Sequence, residues 1–272
     1  MQVPAPFEYE RATSVEHAIG LLERLGDSAR LVAGGHSLLP MMKLRLANFE
    51  YLIDINDLHG ELGYIEIEPT QVRIGALTRH RELLESDDLA ETFPIFRDAE
   101  RVIADPVVRN RGTLGGSVAN NDPAADYPAA VLALNATIKT NRRSIKADDF
   151  FTGMFSTALE DGEIITKISF PIAKKAAYEK FKHPASGFAL VSVFVSKRGA
   201  DIRVAVTGAG ANGVFRVKSF EEALKKRFAA KSLEGMSIPA NGMNADIHGS
   251  AEYRAHLIAV LARRAVEAAT AK

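Results

Sequence analysis

The sequence predicts an α+β chain in two parts, the second smaller and beginning at about residue 175. Three observations carry this. Before residue 164, short β-branched runs alternate with segments whose apolar residues recur at helical spacing. Beyond it the apolar runs become longer, and two of them flank a Lys197-Arg198-Gly199-Ala200 turn region, the pattern of an antiparallel hairpin. Residues 251–271 then hold Leu257, Val260, Leu261 and Val266 in one uninterrupted helical stretch.

Taken in order, Thr13-Ser14-Val15-Glu16 has capping-box spacing, so a helix is expected from there to Gly26, with Ala18, Leu21, Leu22 and Leu25 on one face. Strands are expected at residues 31–33, 51–55 and 72–76. Thr78 is placed to cap a short helix through Leu84. Residues 94–104 read as a helix stopped at Asp105-Pro106, because a residue before proline avoids the helical region. Residues 123–134, rich in Ala and Leu, read as a helix capped by Asp122. In the second part, strands are expected at residues 165–170, 189–195 and 202–207, with the Ala-Lys run to Ala177 as a connection. Ser219-Phe220-Glu221-Glu222 is a second capping box, opening a helix to about Phe228.

With 272 residues, 47% of them apolar and 25% charged, the chain has the composition of an ordinary soluble protein with room for two domains. Thirty-four basic residues balance thirty-four acidic ones, and the Arg109-Asn110-Arg111 and Arg142-Arg143 pairs are too short to make a basic stripe, so no nucleic-acid partner is expected. There is no cysteine, so disulfides, iron–sulfur ligation and cysteine zinc sites are excluded on this chain. Residues 1–8 lack the basic start and apolar run of a signal peptide. No stretch approaches the roughly 20 apolar residues that span a bilayer. A cytoplasmic location is expected, with room for peripheral association with the inner face of a membrane. The seven histidines show no pair at zinc-helix spacing, and Asp122 and Asp126 have no further ligand beside them in the sequence, so no metal is expected.

Two glycine segments carry the functional signal: Ala33-Gly34-Gly35-His36-Ser37, and Thr113-Leu114-Gly115-Gly116-Ser117. Adjacent glycines let the backbone turn through positive φ and admit a ligand close to the main chain. Successive N–H groups in such turns converge on an anion, and a Ser or Thr hydroxyl adds a donor. With the downstream Asn120-Asn121-Asp122-Pro123-Ala124-Ala125-Asp126, the pair suggests a diphosphate gripped from two sides. Gly208-Ala209-Gly210-Ala211-Asn212-Gly213 matches the dinucleotide fingerprint letter for letter. That motif needs a helix opening at its third glycine. Here Val214-Phe215-Arg216-Val217 follows and reads as a strand, so a turn is expected instead.

In these two motifs and in its overall length the chain resembles the FAD-binding medium subunits of the molybdenum hydroxylases, a family that includes the flavin domain of xanthine dehydrogenases. Within it the likeness is greatest to the carbon monoxide dehydrogenase type. The family's first loop, Ala-Gly-Gly-x-Ser, matches residues 33–37. Its second, Thr/Ser-x-Gly-Gly-x with a downstream Asp-Pro-x-x-Asp, matches Thr113 to Ser117 and Asp122 to Asp126.

The resemblance implies a two-part FAD-binding domain of the PCMH type over residues 1–175, with subdomains of about 1–57 and 58–175. A carbon monoxide dehydrogenase flavoprotein-like α+β domain follows over 176–272. It implies FAD contacts at Ala33, Gly34, Gly35, His36 and Ser37, and at Thr113, Leu114, Gly115, Gly116 and Ser117. Asp126 corresponds to a flavin-contacting aspartate, suited to accept hydrogen bonds from adenosine-side hydroxyls. Ile103, Ile165 and Lys182 align with further pocket positions, and Phe188 with an aromatic that lies against the isoalloxazine. For Ile103, Ile165 and Phe188 core packing is the alternative, and for Lys182 a surface position. Related flavin oxidases bond FAD covalently through a histidine of a Gly-Gly-His segment; in this family the cofactor is noncovalent, which is the expectation for His36.

No catalytic side chain is implied, since the isoalloxazine is the redox group. The implied role is electron transfer. Electrons come from 2Fe–2S clusters on a small partner subunit, supplied by a large subunit that carries the molybdenum cofactor, and leave from FAD to an external acceptor. The implied assembly is a dimer of heterotrimers. The rivals are a free-standing FAD oxidase or dehydrogenase acting directly on a small molecule, and a flavin-fold binding protein without turnover. The leucine- and methionine-rich segment 36–46 is a candidate partner surface, its alternative being burial within the flavin domain, above all for Leu39 and Leu44.

Overall fold

The protein is described over residues 3–271 from a computed structural model. Its first layer is a parallel three-stranded sheet of β1 (Glu8–Arg11), β2 (Ala29–Val32) and β3 (Tyr51–Asp54), in the order β1-β3-β2. The helix Val15–Leu25 makes the crossover from β1 to β2 and buries Val15, Ala18 and Leu21 with Ala29, Ile53 and Ile55. Its cap is Ser14, whose hydroxyl accepts from the His17 N–H at 3.0 Å. The expected Thr13–Glu16 box does not form, because the Thr13 hydroxyl is 3.1 Å from His17 Nδ1. Gly26 ends the helix at φ 56°.

The second layer is an antiparallel sheet of β4 (Ile65–Ile67), β5 (Gln71–Gly75), β6 (Thr137–Thr140), β7 (Ser144–Lys146) and β10 (Ile165–Pro171), in the order β4-β5-β10-β6-β7. A short hairpin, β8 (Phe151–Gly153) with β9 (Ser156–Thr157), precedes β10. Val72, Ile74, Ile138, Ile168 and Phe170 form a core with residues of the helices Ile95–Glu100, Leu114–Asn120 and Tyr127–Ala133.

The third layer is the meander β11 (Lys175–Lys182), β12 (Ala189–Arg198), β13 (Asp201–Thr207) and β14 (Phe215–Arg216). Val191, Val193 and Val195 of β12 pack with Ile258, Leu261 and Val266 of the long helix Ala251–Ala271. Phe194 belongs instead to the core of the second layer, and the Ser196 hydroxyl donates to the Ala133 carbonyl at 2.5 Å. With both faces covered, β12 reads as a continuous apolar run rather than an alternating one.

Several expected boundaries shift for local reasons. Thr78 is no cap, since its hydroxyl donates to the Tyr64 carbonyl and the helix runs His80–Glu85. Asp122 accepts from the Ala124 N–H at 2.8 Å, so it closes a turn, and the helix starts only at Tyr127. The helix of residues 94–104 contracts to Ile95–Glu100. The Ala-Lys run expected to connect is largely strand, the start of β11. The second capping box is absent: the helix Lys218–Lys226 has no side-chain cap, and buried Glu221 binds the Arg216 guanidinium and the Val204 N–H.

Candidate functional site

The first glycine segment leaves β2 and turns into the short helix Leu38–Lys43. Gly35 has φ +76°, a left-handed conformation that glycine adopts without Cβ strain. The segment is anchored below by Asn56, whose side-chain amide donates to the Ala33 carbonyl at 2.7 Å and to Asp54 Oδ1 at 2.6 Å. Burial raises the Asp54 carboxyl, but hydrogen bonds from Tyr9 and Asn56 outweigh it and hold the group below its ordinary value. Among the described residues, the N–H groups of Gly34, Gly35, His36 and Ser37 meet no acceptor, and the Ser37 hydroxyl makes no cap bond. His36 and Ser37 are exposed. Four consecutive free donors in a left-handed turn form a concave, electropositive backbone surface. His36 Nδ1 lies 3.0 Å from the Gly34 carbonyl and, facing an acceptor, donates to it.

The two glycine segments meet. A Cβ on Gly34 would lie 2.3 Å from the Arg111 carbonyl oxygen and 2.8 Å from Gly112 Cα, so only glycine permits this approach. The second segment differs from the expected loop. Residues 114–117 are the first turn of the helix Leu114–Asn120, and Thr113 is its N-cap, accepting from the Gly116 N–H at 3.1 Å. The Leu114 N–H goes to the Thr78 carbonyl, that of Gly115 to Ala76 and that of Ser117 to Thr113. These N–H groups are therefore already satisfied within the protein. Gly115 serves close packing, since a Cβ there would stand 2.6 Å from the Ala76 oxygen. Free donors come from the first segment, while the second supplies a tightly packed wall whose Gly116 is exposed.

Asp126 and Ile103 also come together, lining one narrow cleft with Tyr127, Tyr178 and Phe194. Asp126 is buried, 2.8 Å from Lys180 Nζ, and accepts from the Tyr178 hydroxyl. Lys180 donates as well to the Val102 carbonyl at 3.1 Å. Burial, then the Asp126 charge, pushes the Tyr178 hydroxyl well above its ordinary range, so it remains a donor. The carboxylate is thus held by its own protein.

Ile165 is buried at the start of β10, opposite Thr140 beside a register shift. Lys182 and Phe188 lie apart from these groups, at the β11–β12 turn, where Lys182 is exposed and Phe188 is 54% exposed. An aromatic ring presented this way suits contact with a flat π-system. Sequence reasoning selects Lys182 and misses Tyr178 and Lys180. Tyr178 and Lys180 occupy alternate positions of β11, but a register shift between Phe181 and Lys182 interrupts the alternation, so a period of two counted back from Lys182 does not reach them.

Gly208 to Gly213 form a packed turn. The Gly208 N–H donates to the Pro123 carbonyl at 2.8 Å, the Gly213 N–H bonds back to Gly210, and β14 follows with no helix opening at Gly213. Among the described residues no three metal-ligating side chains cluster, and no helix is long and apolar enough to cross a membrane.

Comparison with known proteins adds independent evidence. Residues 5–173 match the model of the FAD binding domain in molybdopterin dehydrogenase. The chain is 36% identical to the carbon monoxide dehydrogenase medium chain of Afipia carboxidovorans, covering 99% of both chains. To the glyceraldehyde dehydrogenase medium chain of Sulfolobus acidocaldarius it is 38% identical, covering 96% of this chain and 98% of the relative. Its structure superposes on a chain of the carbon monoxide dehydrogenase from Hydrogenophaga pseudoflava with a TM-score of 0.87 at 37% identity, covering 99% of each. The α+β architecture, the joined glycine segments and these full-length likenesses agree: the chain belongs to the family of FAD-binding domains of the molybdopterin dehydrogenases, as an oxidoreductase subunit.

Proposed function

We propose that this chain is the electron-transfer subunit of a molybdenum hydroxylase complex, holding one noncovalent FAD. The observation that carries the reading is the row of free N–H groups from Gly34 to Ser37, set against the backbone of Arg111 and Gly112. These donors suit a diphosphate, which needs close main-chain approach and gains from converging N–H groups. Ala33, His36 and Ser37 complete the first wall. Thr113 and Leu114 to Ser117 form the second, by packing rather than by donated bonds. Phe188 offers its exposed ring to the isoalloxazine, with Lys182 beside it. Ile103 and Asp126 line the cleft behind, and buried Ile165 supports the sheet. FAD, when bound, supplies the redox chemistry; the chain binds, orients and shields it. We place the FAD-binding domain at residues 1–175 and the C-terminal domain at 176–272.

The partners we propose are a large subunit with the molybdenum cofactor and a small subunit with 2Fe–2S clusters, assembled as a dimer of heterotrimers in the cytoplasm. With no cysteine, this chain cannot ligate clusters itself. Relatives of similar identity are named for carbon monoxide and for glyceraldehyde dehydrogenases, so the substrate is a property of the complex. Expression with the neighbouring reading frames tests the proposal. The expected product is a co-purifying complex whose flavin bleaches with the molybdenum substrate and releases into the supernatant on acid precipitation. Rapid turnover of a small molecule by the isolated flavin-loaded chain would instead establish a free-standing dehydrogenase.

A further inference from the structure

The free N–H groups of Gly34 to Ser37 are neutral donors. A diphosphate brings full negative charge, and dipoles alone leave that charge without a counter-ion. A guanidinium supplies one, through charge-assisted bonds about twice as strong as neutral ones. Most cations around the junction are already committed. Arg11 pairs with Asp57 and Arg81 with Glu85, while Arg45 donates to the Val3 carbonyl and Arg109 to those of Ile103 and Ala104.

Arg111 is different. Its backbone carbonyl lies against Gly34, an approach that any side chain at Gly34 would block. Its own N–H is fixed to the Val108 carbonyl at 3.0 Å. The residue is exposed and, among the described residues, its guanidinium has no hydrogen-bond or ion-pair partner. Asp54, beneath the first segment, is engaged by other donors. Its Oδ1 accepts from the Asn56 N–H at 2.8 Å and the Asn56 amide at 2.6 Å, and its Oδ2 accepts from the Tyr9 hydroxyl at 2.5 Å. Burial raises this carboxyl, the Tyr9 and Asn56 bonds lower it, and the Arg111 charge adds to the lowering. The positive field of Arg111 therefore reaches the first segment while its guanidinium stays uncommitted.

We propose that Arg111 is the charge-compensating residue of this site, its guanidinium pairing with the diphosphate that the N–H row receives. This rests on the flavin reading of the first segment. The row fixes where the phosphates sit, and Arg111 selects for their charge. Arg79, half-buried across an isolated bridge from Thr113, is the rival cation, but it stands beside the second segment, where the N–H groups are satisfied within the protein.

FAD affinity of the full chain, measured by flavin fluorescence at about 0.05 M and about 0.5 M salt, tests this. In Arg111→Gln the expected result is a loss of about tenfold at low salt and a shallower salt dependence than in the wild type. Arg111→Lys should recover part of the loss, and Arg79→Gln should bind as the wild type does. The urea midpoint of Arg111→Gln should stay at the wild-type value, since the residue is exposed. Affinity in Arg111→Gln within about twofold of the wild type, an unchanged salt dependence, a loss that lysine does not reduce, or an equal loss in Arg79→Gln overturns the proposal. A wild-type chain that binds no FAD at either salt concentration overturns the flavin reading instead. Inorganic pyrophosphate, titrated calorimetrically into the same proteins, then still decides the role of Arg111: binding weakened in Arg111→Gln supports it, and equal binding or none overturns it.

Discussion

Asp126, one residue before the helix Tyr127–Ala133, pairs with Lys180 of β11 at 2.8 Å, with the two side chains 9% and 2% exposed. The pair ties the residue that ends the family's second motif to the first strand of the C-terminal meander. Thr207 of β13 adds to the same junction, its hydroxyl bonding the Pro123 and Ala125 carbonyls at 3.0 and 2.7 Å. Removing one member of a buried pair strands the other charge. Lys180→Met should therefore destabilise the chain by about 3 kcal/mol in urea titrations. The double variant Lys180→Met, Asp126→Asn should recover much of that loss, since it leaves no buried charge. Equal stability of the single variant and the wild type would show the pair to be energetically idle.

The glycines of the first segment should differ in how they fail. Gly34→Val drives a side chain into the Arg111 carbonyl, so both folding and flavin occupancy should suffer. Gly35→Val meets only the flexible Leu39 side chain at 2.9 Å, but must adopt φ +76°, at a cost of about 1–2 kcal/mol. It should fold and lose flavin. Gly116→Ala is the mild case, crowding only the Thr113 hydroxyl at 2.7 Å and weakening a cap worth about 1 kcal/mol. The ratio of flavin to protein absorbance after desalting ranks the three. Full occupancy in Gly35→Val would remove the first segment from the site.

Acid should unfold the chain partly through Glu163. Hydrogen bonding from Arg143, with further bonds from the Glu160 N–H and Thr140, holds its carboxyl at about 2, against an ordinary 4.5. A depressed folded-state value means the stabilisation is complete above about pH 4.5 and is lost as pH falls toward about 2. Glu163→Gln should lower stability at neutral pH by about 1–3 kcal/mol and flatten the acid limb. Urea midpoints across that pH range provide the check; an acid limb unchanged in the variant would assign the transition to other carboxylates.

Segment 36–46 is more open than burial within the flavin domain would require, with Leu39 38%, Leu44 52% and Leu46 75% exposed, while Met42 is buried. A stable interface needs an apolar centre with a polar rim. Leu46→Lys should leave the chain's own stability within about 0.5 kcal/mol, as for exposed positions generally. Its yield of complex in co-expression should nonetheless fall. Undiminished assembly would place the partner surface elsewhere.

The local chemistry of the glycine segments is legible in the residues themselves. Adjacent glycines beside hydroxyl residues announce tight backbone approach, and the strand-like residues after Gly213 mark a turn in place of a nucleotide fingerprint. The helix Ala251–Ala271 is equally plain, because its length and periodicity depend on neighbours three and four residues away. Capping is less legible. Thr13, Thr78 and Asp122 each have the right residue type, yet their oxygens find other partners. Short polar side chains choose among several local bonds of similar strength, and the surrounding packing decides.

By itself, then, the sequence determined the α+β class, the two glycine segments and the family they mark, since these rest on backbone permissiveness and short-range periodicity. Only the tertiary structure decided which N–H groups are free, that Gly34 abuts Gly112, and that Asp126 is held by Tyr178 and Lys180 across 52 and 54 residues of chain. It alone also buried Glu100 against His80 and Tyr127. Pairings between distant segments depend on sheet register and on which faces are covered, and neither is written in the spacing of neighbouring residues.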